Sequence, residues 1–272
     1  MSSLNFKTLK PTTSLSNFID CIRIAEFTGD NPSPQINICP NGLPGIVFHA
    51  NSIESLQTSQ GVLTDLPELF LYGQVTELSK MTFKTSHFTT FQVLLKPFSL
   101  KSLFKINAAK LTNNFLDLKK FNNSPIVQLQ SAKNNDQVIK ILTDFLQNLS
   151  QSVQQDSEIS QITDFIDSNL SQVSVADLTD TFNISERQLQ KKFQQFIGLP
   201  PVQYIRIRRF NRAMQMMDSG EYELLSDIAF ALDFHDQSHF IRDIKTFSGK
   251  TPKSITQKTT EFYHDQVGAT FL

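Results

Sequence analysis

Two stretches of this chain, SVADLTDTFNISERQLQKKFQQFIGLPP (174–201) and LLSDIAFALDFHDQSHFIRDIKTFSGKTP (224–252), carry the same pattern twice. Asp177 matches Asp227, and each opens an apolar helical segment that stops at a residue tolerant of the left-handed conformation, Asn183 or Asp233. A fresh helix cap follows, Ser185 in one copy and Asp236 in the other. The apolar anchors then pair, Leu189 with Phe240 and Phe193 with Ile244, and both copies close on Gly-x-x-Pro, Gly198 to Pro201 and Gly249 to Pro252. The offset is 50 residues through the first helices and 51 through the second, so the second turn is one residue longer. Helix, short turn, helix, written twice, describes two helix-turn-helix units. The long helical segment between them argues against a solenoid.

Each second helix has a readable inner side and an outer side that needs a reason. Phe240, Ile244 and Phe247 form one apolar stripe, while Gln237, Ser238, His239, Ile241, Arg242 and Lys245 lie around the rest. In the first copy Arg187, Gln190, Lys191 and Gln194 recur at i, i+3, i+4 and i+7, opposite Leu189, Phe193 and Phe196. A solvated face would explain either set alone. Between residues 185 and 212 Arg187, Lys191, Lys192, Arg206, Arg208, Arg209 and Arg212 stand against one acid, Glu186, although the whole chain has a net charge of −1. Along the bridging segment Arg206 is read as free to reach a phosphate. Arg209 is read equally as a phosphate contact or as a buried organiser pairing with an acid.

Residues from about 165 to 258 resemble the AraC/XylS type of bacterial transcription regulator. The resemblance rests on ISERQLQKKFQQFIG, on the bridging VQYIRIRRFNRAMQMM with Tyr204, Ile205, Arg209 and Ala213, and on the second unit's Ile228, Ala229, Phe234, Gln237, Ser238, Phe240, Lys245, Gly249, Thr251 and Pro252. The chain departs from the family at Asn183 and Asp233, where glycine is usual. The resemblance implies two recognition helices in successive major grooves of double-stranded DNA. Arg suits guanine and Gln suits adenine, while Ile241 is suited to a thymine methyl. The DNA-contact set it implies is Arg187, Gln190, Lys191, Gln194, Arg206, Gln237, Ser238, His239, Ile241, Arg242 and Lys245. A bridge of about 17 residues spans roughly 25 Å, compatible with half-sites about 34 Å apart.

The first half reads differently. CIRIAEF (21–27), GIVFHA (45–50), ELFLYGQV (68–75) and HFTTFQVLL (87–95) are strand-like, and CPNGLPG (39–45) is turn chemistry. Ser99 is expected to cap a short helix. QVIKILTDFLQNL (137–149) carries one apolar stripe, suited either to a dimer interface or to an intramolecular core. The polar run 150–158 is the linker candidate, and only helices are expected after it. By resemblance the strand-rich part is a cupin-like sensor and dimerisation region. The expected fold is therefore α+β: an N-terminal β-rich cupin-like domain with a helical tail over 1–153, and a C-terminal all-α domain of two helix-turn-helix units over 154–272.

Other chemistry finds little support. Cys21 and Cys39 lack CxxC or Cys/His metal spacing and read as free thiols of a reducing cytoplasm. His49 and His87 lack cupin ligand spacing and read as structural or surface histidines; no metal and no cofactor is expected. There is no apolar leader and no 18-residue apolar run, so neither a signal peptide nor a membrane span is expected. The competing classes are a cupin-like enzyme and a DNA-repair protein with an appended DNA-binding module. Neither a nucleophile elbow, a phosphate loop nor an activated cysteine setting accompanies them. The expectation is a cytoplasmic, sequence-specific transcription regulator. Its possible partners beyond DNA are RNA polymerase, a second copy of the chain and a small-molecule effector.

Overall fold

The structure is a computed structural model, and it describes residues 3–271 except 32, 51–52, 59–60, 65, 122–123, 152, 154–156, 221 and 257–268. Strands β1 (Ser3–Leu9), β2 (Ile19–Thr28), β3 (Gln35–Ile38), β4 (Gly45–His49), β5 (Ile53–Thr58), β6 (Gly61–Thr64), β7 (Leu69–Tyr72), β8 (Ser79–Phe83) and β9 (His87–Leu95) come first. Helix α1 (Ser99–Phe104), a 3-10 turn at Ala108–Leu111, β10 (Phe115–Asp117), α2 (Ile126–Gln130) and α3 (Asn135–Ser150) complete the N-terminal half. One antiparallel sheet runs β1-β2-β9-β4-β7-β10. The other runs β3-β8-β5-β6, and β11 (Ala269–Phe271) adds to it beside β3. That last strand corrects the expectation of helices alone after residue 158.

The first sheet is covered on both faces, so period-two alternation separates two environments. Ile22, Ile24, Ile46, Phe48, Phe91 and Val93 pack outward against Leu100, Leu103, Leu142 and Leu146 of the helices. Val47, Phe70 and Phe88 face the second sheet, meeting Ile36, Met81 and Phe83. Helix α3 therefore spends its stripe inside the molecule: Leu142 and Leu146 are fully buried. The core alternative holds for this helix, because those side chains already cover the sheet. Ser99 does not cap α1; Phe98 holds the cap position and the buried Ser99 hydroxyl donates to Phe18 O at 2.8 Å.

The remaining helices are α4 (Ser157–Ser168), α5 (Val175–Phe182), α6 (Glu186–Lys192), α7 (Pro201–Ser219), α8 (Leu225–Ala231), α9 (Gln237–Ser248) and α10 (Pro252–Thr256). They share one core, built on Ile162, Leu189, Phe193, Tyr204, Phe210, Phe240 and Ile244, which also takes in Cys39 and Phe98 from the N-terminal half. Part of the expected linker, residues 152 and 154–156, lies outside the described residues.

Candidate nucleic-acid interface

Both helix-turn-helix units are built by local polar chemistry before any packing. Ser174 caps α5 by accepting from Asp177 N, and the Asp177 carboxylate accepts from Ser174 N at 2.8 Å. The bonds from Ser174 hold the Asp177 carboxyl below its ordinary range. Asp227 plays the equivalent part for α8, accepting from Leu224 N at 2.7 Å. The turns then use the residues anticipated, with Asn183 at φ 49° and Asp233 at φ 52°, both left-handed. Ser185 and Gln188 form a reciprocal capping box on α6. Asp236 caps α9 by accepting from His239 N at 2.7 Å, and this bond, followed by that from His235, lowers its pKa.

The second helices of the two units end differently. α6 passes into a π turn over Phe193–Ile197, where Gly198 N bonds to Phe193 O at 2.8 Å. α9 runs regularly for 12 residues to Gly249. Along α6 and this turn Arg187, Gln190, Lys191 and Gln194 are all exposed, with Gln190 Nε2 donating to the Glu186 carboxylate at 2.9 Å. On α9 Gln237, Ser238, Ile241, Arg242 and Lys245 are exposed. Opposite them Leu189, Phe193, Phe240 and Ile244 are fully buried. One polar face per unit is thus free of the core, on a helix whose N-terminus is fixed by its cap. The bridging α7 has 19 residues, about 28 Å of axis.

Two residues of the expected contact set are engaged inside the protein. Arg206 is not simply free for phosphate: its Nη2 and Nε donate to the two Asp243 oxygens at 2.7 and 3.2 Å. That hydrogen bond raises the guanidinium pKa. Asp243 is 1% exposed, and His239 Nε2 lies 3.5 Å from the same carboxylate. The His239 ring also packs edge-on to Phe234. A buried carboxylate needs such company, because desolvation without a partner is costly. Asp243 went unread in the sequence, since its acid side chain breaks the outward polar pattern only in three dimensions. Its place three residues after Phe240 and four before Phe247, on the apolar stripe, was the available signal.

The basic cluster of 185–212 is also thinner than its composition suggests. Arg208 makes a bidentate pair with Asp167 at 2.7 and 3.0 Å. Arg209 resolves as an organiser: Nε donates to Leu170 O and Nη2 to Val173 O, with Asp233 at 3.7 Å. Burial lowers the Arg209 pKa. Lys192 pairs with Glu158 at 2.8 Å. Arg187, Lys191 and Arg212 remain exposed to solvent.

The N-terminal half contains a cavity of about 140 Å³ between the two sheets. His49 lines it, fully buried and held neutral by burial with a pKa near 3, and His87 sits exposed at the start of β9. Cys21 and Cys39 are free and buried, their thiols pushed up by burial to about 11 and about 12. No helix among the described residues is long and apolar enough to cross a membrane.

Comparison with known proteins agrees with this geometry. Residues 178–258 match a helix-turn-helix domain family, and residues 7–117 match a domain of unknown function. The HTH-type transcriptional activator AarP of Providencia stuartii is 30% identical over 112 residues, covering 41% of this chain and 82% of AarP. The putative HTH-type regulator YkgA of Escherichia coli strain K12 is 32% identical over 101 residues, 37% of this chain and 42% of YkgA, so the chain spans less than half of that relative. Among solved structures, ToxT from Vibrio cholerae shares the fold at a TM-score of 0.51 with 13% identity, over 96% of this chain and 99% of ToxT. A duplicated, capped helix-turn-helix with outward polar faces, matched along most of an activator's length, places this chain in the AraC family of DNA-binding transcription regulators.

Proposed function

We infer that the protein reads two adjacent major-groove half-sites, one through α6 and one through α9. Arg187, Gln190, Lys191 and Gln194 serve the first, and Gln237, Ser238, Ile241, Arg242 and Lys245 the second. The observation that carries this reading is the pair of exposed polar faces on two helices whose opposite sides are fully buried. Arg206 and His239 act chiefly by holding α9 to α7 through Asp243, and the half-exposed edge of Arg206 is available for a phosphate.

The division of labour follows the two sets of cores: residues 1–153 control, residues 154–272 bind DNA. ToxT, which has a similar fold, has been solved with an unsaturated fatty acid bound, which supports a sensing role for the β-rich half here. RNA polymerase and a second copy of the chain are the further partners of this reading. DNA selection with the purified protein is the test. The expected result is one enriched site with two conserved blocks about one helical turn apart. Retention of no duplex would end the reading.

A further inference from the structure

The net charge of −1 conceals an uneven distribution. Between residues 96 and 120, Lys96, Lys101, Lys105, Lys110, Lys119 and Lys120 stand against one acid, Asp117. This run belongs to the N-terminal half, on α1 and the turns around it. Two of its lysines are engaged within the fold. Lys96 lies 3.7 Å from Asp20, and Lys105 Nζ donates to Ser102 O at 2.9 Å, at the end of α1. Lys110, Lys119 and Lys120 are exposed and make no ion pair among the described residues. Local structure turns them outward. In the 3-10 turn at Ala108–Leu111 the two end residues are buried, which leaves Lys110 on the solvent side. A second 3-10 turn, Leu118–Lys120, buries Leu118 alone. Asp117 caps that turn by accepting from Lys119 N at 2.9 Å.

Packing brings this run to the first helix-turn-helix unit. Thr112 Oγ1 donates to Gly198 O at 2.7 Å, where the segment that begins with α6 ends. A Cβ on Gly198 would stand 2.8 Å from Ala108 O, so the turn that exposes Lys110 is seated directly on that segment. Phe121 lies edge-on to Phe104 with ring centroids 5.7 Å apart, which carries Lys119 and Lys120 back beside the end of α1. Gln194 is exposed four residues before Gly198, about 6 Å along a helix axis. The major groove is about 12 Å wide, so a helix lying in it has phosphate strands close on either side.

Affinity for a duplex grows with the number of phosphates that cations neutralise. Around α6 the C-terminal half has few to offer. Arg206, Arg208 and Lys192 are held by Asp243, Asp167 and Glu158, and Arg209 by backbone carbonyls. Arg187 and Lys191 are assigned above to base edges. The exposed lysines of the N-terminal half adjoin this segment and have no such engagement.

We propose that Lys110, Lys119 and Lys120 form a phosphate-contacting strip, which the N-terminal half adds to the DNA interface beside the half-site read by α6. Its placement rests on the two-half-site reading above. The second unit has no equivalent, so the interface is asymmetric: one half-site is held by both halves of the chain and the other by the C-terminal half.

Fluorescence anisotropy of the full-length protein on its selected duplex, over a salt series, is the test. The triple variant Lys110→Gln, Lys119→Gln, Lys120→Gln should flatten the log–log salt slope by about two to three units and weaken binding about ten-fold at low salt. Base preferences should not change. The charge-matched control is Lys7→Gln, Lys10→Gln, Lys133→Gln. Lys7 lies on β1, at the opposite edge of the first sheet from β10, and Lys10 follows it. Lys133 precedes Asn135, whose amide donates to Glu26 of β2 at 2.8 Å. The control should shift the slope by less than about half a unit; circular dichroism establishes that both variants are folded. Neutral methylphosphonates then replace the phosphates beside one block or the other. Those beside the block that Arg187→Ala relaxes should cost the triple variant less than the wild type, and those beside the other block should cost both the same. An unchanged slope in the triple variant, an equal change in the control, or equal costs at both blocks overturns the strip. Two selected blocks with an unaffected triple variant reject the strip and keep the two-half-site reading. Binding without sequence preference that the triple variant still weakens rejects that reading and keeps the strip as a phosphate surface, and retention of no duplex rejects both.

Discussion

The first helix-turn-helix unit is fastened to the N-terminal half of the molecule, and the second to the bridging helix. Gly198, ending the first recognition segment, lies so close to Ala108 O and Thr112 Oγ1 that an added Cβ would sit 2.8 Å from each. Lys192 reaches back to Glu158 on α4. The second unit meets the N-terminal half at Leu78, which stands against Gly249. Its own fastening is internal, the Asp243 carboxylate gripped by Arg206 of α7. The surfaces differ as well: Phe230 stands where the first unit has Asp180 and is 82% exposed. Two copies of one motif can thus share caps, turns and apolar anchors and still answer to different parts of the protein.

Several substitutions would break or sharpen that contrast. The largest effect is expected for Arg206→Ala, which strands a buried carboxylate in the second unit and should cost about 3 kcal/mol in urea unfolding. Arg212→Ala, on the exposed side of the same helix, should cost close to nothing; equal losses would mean that the Asp243 clamp is not what holds α9. Gly198→Ala comes next, at about 2 kcal/mol, because it combines a φ of 91° with the close approach of Ala108 and Thr112. Gly220 has φ 71° and open space around it, so Gly220→Ala should cost only about 1 kcal/mol. A matching pair of losses would deny the tight docking of the first unit.

Smaller effects separate the reading surfaces. Arg187→Ala and Arg242→Ala should each lower affinity for the best site by about 1–2 kcal/mol, relaxing preference in different blocks. Competition against randomised duplexes measures this, and a uniform loss for every sequence would move either arginine to the phosphates. The least change is expected for Asn183→Gly, a gain of about 0.5 kcal/mol from relieving a left-handed non-glycine residue. Asp233→Gly should gain less, since Asp233 also lies 3.7 Å from Arg209. Thermal melting of the two variants together decides the order.

The local parts of this architecture were legible in the sequence, because caps, turns and apolar spacing act over a few residues. Ser185, Asp236, Asn183 and Asp233 all do what their side chains suggest. The fate of the arginines was not legible, because it depends on acids far along the chain: Arg206 meets Asp243 and Arg208 meets Asp167. Charge counts could not tell a cation facing DNA from one neutralised within the fold. The polar side of the cavity between the two sheets was hidden for a related reason. In HFTTFQVLL both faces of the strand are covered, so Phe91 and Val93 read as core while Thr90 and Gln92 pass for solvent-facing residues. Only the second sheet, packed across from them, turns that alternation into the wall of a cavity.

The claim on which most depends is that one chain reads two successive major grooves with two differently fastened helices. Hydroxyl-radical footprinting of the full-length protein on its selected duplex measures this directly, repeated with Arg187→Ala and Arg242→Ala. The account predicts two protected patches on one face of the duplex, about one helical turn apart, with each variant weakening a different patch. A single patch, or two patches that both variants weaken alike, would contradict it.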